Sequence, residues 1–131
     1  TLRHKLSILL TNFHRKMRKF LTDFEGKAYK MDNEKIKMFK EKVERALDIS
    51  RDELRRRKND MPGESTVEQL EEIIIPELEK LSKMDYSNLP PIEDRYLISF
   101  AYAFKVWEWS MKNASKLYIL LVTLNDEYKD L

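Results

Sequence analysis

Cysteine is absent from this chain of 131 residues, glycine occurs twice and proline four times. Without cysteine there is no disulfide scaffold, no thiolate zinc site and no cysteine nucleophile, and an intracellular or virion setting is favoured over a secreted one. With only Gly26 and Gly63 no loop can wrap a phosphate, which excludes the nucleotide-binding fingerprints. A strand-rich fold needs more turn residues than this, so composition leans all-α. Long apolar runs are missing too. The longest uncharged runs in the most apolar stretch are Tyr96–Phe104 and Leu117–Asn125, far below the ~20 residues of a membrane-spanning helix. Arg3 and Lys5 interrupt the first apolar positions, so no secretory signal is expected and the chain reads as cytoplasmic or virion-associated.

The only histidines are His4 and His14. On a helix they are about 80° apart and roughly 15 Å apart along the axis, too far to share a metal. No Glu-x-x-His pair of the di-iron bundle type occurs. Glu68, Glu71, Glu72, Glu77 and Glu79 crowd one segment without a histidine or an arginine clamp, and read as a solvated acidic face. No metal, no cofactor and no enzymatic activity are expected.

What is present is charge, unevenly placed. Residues 1–60 carry 18 Lys/Arg against 10 Asp/Glu, whereas residues 61–131 carry 7 against 13. Such asymmetry points to a polyanionic partner, or to contact between oppositely charged parts of neighbouring copies. It also arises when the two halves simply neutralise each other within one fold.

Periodicity predicts four main helices in a single domain covering residues 1–131: an elongated, mostly antiparallel bundle with a basic half (1–60) and an acidic, aromatic half (61–131). The first helix runs from about Leu2 to Glu25, with Leu2, Leu6, Leu9, Phe13, Met17, Phe20 and Phe24 as its apolar stripe and Gly26 as its C-cap. Lys5, Arg15, Lys16, Arg18 and Lys19 lie off that stripe. The second starts after Asp32 or Asn33 and ends on Arg55, Arg56, Arg57 and Lys58, four cations that suit a helix C-terminus. Met61-Pro62-Gly63-Glu64 breaks the chain. Ser65, with Glu68 three residues on, reads as the capping box of a third helix, which Pro76 should kink or split. The last helix is expected to be unbroken over about 35 residues, roughly 50 Å, and to be the central member. Its stripe is Tyr96, Phe100, Ala103, Trp107, Met111, Ala114, Tyr118 and Leu121.

Two functional expectations follow. In the first, the chain is a non-enzymatic, nucleic-acid-associated structural or assembly protein of the kind found in viruses and mobile elements. Lys5, Arg15, Lys16, Arg18 and Lys19, with Arg55, Arg56, Arg57 and Lys58, would contact phosphates, and the chain would self-associate as a homo-oligomer or a subunit of a larger assembly. In the second it is an adaptor or regulatory subunit. Trp107 and Trp109 would sit about 200° apart on a helix, which leaves Trp109 among Tyr102, Lys105, Lys112 and Lys116 as a face for a protein partner.

Overall fold

The computed structural model describes the backbone of residues 1–131 and all side chains except those of residue 24 and residues 26–32. The fold is all-helical, with no strand among the described residues. Five α-helices occur: α1 (Leu2–Lys58), α2 (Val67–Gln69), α3 (Ile75–Ser82), α4 (Ile98–Lys105) and α5 (Lys116–Lys129). A π-helical segment, Leu70–Ile74, joins α2 to α3, and a 3₁₀ turn, Ile92–Asp94, precedes α4. The four expected helices are therefore redistributed. The first two are one element, α1, and the last is two. The expected helix ends, a C-cap at Gly26 and an N-cap at Asp32 or Asn33, are overturned, since α1 runs through all three positions as helix. The Phe24 side chain of the expected stripe lies outside the described residues.

Contacts divide the chain into two compact units, Thr1–Lys35 and Ile36–Leu131. The first is the N-terminal part of α1. Every described side chain from Thr1 to Glu25 is exposed, including the apolar stripe. That stripe was expected to pack into the bundle. Among the described residues nothing covers it.

The second unit holds the core. Phe39, Val43, Ala46 and Leu47 of α1 meet Leu70 and Ile74 of the π segment, Leu78 and Leu81 of α3, and Leu117, Tyr118, Leu121, Leu124 and Tyr128 of α5. These positions recur in steps of three and four, which places them on one face of each helix. The Phe39 ring sits 5.6 Å from that of Tyr128 and 5.9 Å from that of Tyr86. Ion pairs join the elements around this core: Lys42 with Glu127, Arg51 with Glu79 at 3.6 Å, and Lys58 with Glu71 at 2.6 Å.

The capping box exists one residue later than expected. Thr66 Oγ1 accepts the Gln69 N–H at 3.1 Å, and Gln69 Oε1 accepts the Thr66 N–H at 3.1 Å. Ser65 is buried instead, and its carbonyl accepts from Arg57. Before Pro76 the helix widens, with the Ile75 N–H donating to the Leu70 carbonyl five residues back. A proline cannot donate to the carbonyl four residues before it. The π register accompanies that lost bond, and Pro76 itself stands in the first turn of α3, where its missing N–H is harmless.

The expected 35-residue aromatic helix is not formed. α4 ends at Lys105, and the chain turns through residues 106–115 before α5 begins. The Val106 and Trp107 N–H groups both donate to the Tyr102 carbonyl, at 2.8 and 2.7 Å, and Trp109 N–H reaches Ala103 O at 2.9 Å. Glu108 takes a left-handed conformation at φ 53°. Ser115 caps α5 by accepting the Tyr118 N–H at 3.1 Å. Leaving the helix changes which tryptophan is buried. Trp109 is 7 % exposed, with its ring edge-on to Tyr118 at 5.6 Å. Trp107, expected in the core, is half-buried and stacks on Tyr102 at 5.7 Å. Met111, also expected inside, is exposed.

Candidate nucleic-acid interface

The first unit presents a helix of strongly sided chemistry. Through residue 22 it contains no acid; Asp23 and Glu25 are the first, against six Lys/Arg up to Glu25. Lys5, Arg15, Lys16, Arg18 and Lys19 are all exposed, and among the described residues none of them enters an ion pair. From Lys5 to Lys19 they extend about 21 Å along the axis. His4 and His14 are exposed on the same helix.

Arg55, Arg56, Arg57 and Lys58 sit differently. Arg55 and Arg56 both engage Asp52, the latter at 3.1 Å, and Lys58 engages Glu71. Arg57 is the least exposed of the four: it pairs with Glu53, and its Nε and Nη1 donate to the carbonyls of Ser65 at 2.7 Å and Met61 at 3.1 Å. Its guanidinium lies against Gly63, where a Cβ would collide with it. Arg57 thus ties the loop after α1 back to the helix. A cleft of about 600 Å³ beside this loop is lined by Asp52, Glu53 and Glu64 as well as Arg56, Arg57 and Lys116, so its charge is mixed.

The acidic segment is largely engaged within its own unit. Glu71 and Glu79 hold Lys58 and Arg51. Glu77 caps α4, accepting the Ile98 N–H at 2.7 Å and the Ser99 N–H at 2.9 Å. Asn125 Oδ1 accepts the preceding N–H, that of Leu97, at 2.8 Å in a buried position. These are structural roles. Among the described residues no group of three or more His, Asp or Glu is arranged to hold a metal ion, and no helix is long and apolar enough to cross a membrane.

The proposed protein-partner face is dispersed. Tyr102 and Lys105 stand on α4, Lys112 in the turn and Lys116 at the start of α5, all exposed, but Trp109 is in the core. Sequence reasoning missed Phe104 and Val106, which are exposed at 54 % and 62 % around the same turn.

Burial pushes the hydroxyls of Tyr86, Tyr118 and Tyr128 above the ordinary tyrosine range. Neighbouring Tyr128 and Glu44 add to the effect at Tyr86, and Glu64 adds to it at Tyr118. At Tyr128 the Arg95 cation opposes the shift and Glu77 favours it. Asp85 moves the other way, held low by the hydroxyl and backbone N–H of Ser87.

Comparison of the chain with protein-family models, with curated proteins and with solved structures gives no match.

Proposed function

We propose that this chain is a non-enzymatic, nucleic-acid-associated structural or assembly protein whose N-terminal helical unit contacts phosphates through Lys5, Arg15, Lys16, Arg18 and Lys19. The observation that carries the reading is the contrast between two sets of cations. Those of the first unit are exposed and, among the described residues, unpaired, while Arg55, Arg56, Arg57 and Lys58 are engaged by Asp52, Glu53 and Glu71. The first set is the phosphate-binding group and the second contributes little. Contacts to phosphate carry no base readout, so binding is non-specific and salt-sensitive.

The test is the slope of log K against log salt for duplex DNA, to which each neutralised phosphate contributes roughly 0.9. Replacing Arg15, Lys16, Arg18 and Lys19 with glutamine flattens that slope by up to about 3–4 units and leaves the unfolding transition unchanged. Wild-type chain with no affinity for DNA or RNA at low salt ends the reading. The adaptor function then stands in its place, supported by the exposure of Tyr102, Phe104, Val106 and Met111 around the α4–α5 turn.

A further inference from the structure

Phosphate binding by the first unit leaves its other side unexplained. Leu2, Leu6, Leu9, Leu10, Phe13, Met17, Phe20 and Leu21 are all exposed, from 44 % at Met17 to 76 % at Leu2. At about 100° per residue they share one sector roughly 120° wide, a strip some 30 Å long. Ile8 alone among the large aliphatics falls on the polar side. Scattered surface leucines need no account, but a continuous strip of this length marks an interaction surface.

The cations show what covers it. On the helical wheel they divide into two sets. Lys5 and Lys16 border one edge of the apolar sector, and Arg3 borders the other. Arg15, Arg18 and Lys19 point to the opposite side. A second copy of the helix laid on this strip would bring flanking cations against flanking cations, with no acid before Asp23 to relieve them. An anionic lipid surface has the complementary charge and accepts apolar side chains to the depth of its headgroup boundary. Leucines and phenylalanines on one face, lysines and arginines on the other, and too little apolar length to span define a helix that lies in the interface plane.

We propose that residues 2–21 form an amphipathic helix that lies on an anionic phospholipid surface, with the apolar strip inserted and Arg3, Lys5 and Lys16 at headgroup level. The inference goes beyond nucleic-acid binding and does not depend on it. Arg15, Arg18 and Lys19 remain directed away from the lipid; with the helix on lipid they, and not Lys5 or Lys16, are the cations left to hold a second polyanion.

The experiment is co-sedimentation of the full chain with vesicles of phosphatidylcholine alone and of an equal mixture of phosphatidylcholine and phosphatidylglycerol. Each cation near a negative surface strengthens binding about fivefold, so three give a preference of about a hundredfold for the mixed vesicles. Leu6→Gln with Phe13→Gln lowers vesicle binding at least tenfold, with duplex DNA affinity and the unfolding transition kept. Arg15→Gln, Arg18→Gln and Lys19→Gln together weaken duplex binding and spare most of the vesicle binding. Equal affinity for neutral and mixed vesicles, no binding to either, or full binding by the Leu6/Phe13 variant overturns the proposal. So does light scattering in which that variant turns an oligomer into a monomer while the wild type ignores vesicles; a second copy then covers the strip. Duplex binding measured on the same samples separates failure of this inference from failure of the nucleic-acid reading.

Discussion

Trp109 and Trp107 show how two identical side chains, two residues apart, take different roles once the backbone between them leaves the helix. The Trp109 ring fills space against Tyr118 and is 7 % exposed, although its indole N–H finds no acceptor among the described residues. Removing it leaves a large cavity, and Trp109→Ala costs about 3–5 kcal/mol of unfolding free energy. Trp107 keeps one face in water, and Trp107→Ala costs about half as much. Urea titration of both variants checks the order. A larger loss at Trp107 would mean that the aromatic stripe continues as one helix after all. Arg57 gives a parallel lesson in the opposite chemistry. As one of four clustered cations it read as a phosphate ligand, yet three hydrogen-bond partners within the chain make it a staple for the loop that holds Gly63.

Among the elements, the turn between α4 and α5 is the largest departure from expectation. No glycine or proline marks it. The signals present are Ser110, Asn113 and Ser115, residues that compete for backbone hydrogen bonds and favour caps and turns. Against a background of continuous apolar periodicity they were easy to pass over. The N-cap makes a sharp test. In a capped α5, Ser115→Ala costs about 1 kcal/mol. In an uninterrupted helix the same change would be neutral or mildly stabilising, because alanine is the better interior residue. Chemical denaturation of this one variant distinguishes the two backbones. The third expected helix was legible in outline, since Pro76 and the capping pattern are both local signals. The cap is Thr66 and not the adjacent Ser65, because Thr66 exchanges hydrogen bonds with Gln69 while Ser65 is buried.

For the whole molecule, charge partitions by unit. Residues 1–35 hold nine Lys/Arg against four Asp/Glu, and residues 36–131 hold 16 against 19. Within the second unit much of the balance is met by ion pairs between its own elements, so the net positive charge resides in the first. The second unit also carries its own pH signature. Tyr86, Tyr118 and Tyr128 have pKa values raised by burial. A raised folded-state value means that the stability from the neutral phenols is fully present below about pH 10, the unfolded value. It is lost as pH rises from there towards the folded values, because the unfolded chain releases those protons first. Thermal unfolding followed from pH 8 to pH 11 therefore shows a falling Tm above about pH 10. Tyr128→Phe makes that fall shallower. An unchanged slope in the variant would remove Tyr128 from the account.

Helical content, the absence of membrane-spanning length and the sidedness of residues 2–21 were properties of local composition and period. They needed no partner to be read, because a helix displays its faces wherever it is placed. The core positions Tyr118 and Leu121 were legible for the same reason. Tertiary packing decided three further matters, one of them only in part. The aromatic stretch is broken at residues 106–115, and that turn seats Trp109 against Tyr118. Lys58 pairs with Glu71 because α1 and the π segment meet, whereas Arg55, Arg56 and Arg57 pair with Asp52 and Glu53 one turn back on α1, a spacing already present in the sequence. The described apolar side chains of the first unit are exposed, and no periodicity in a sequence states whether a partner for a given face exists.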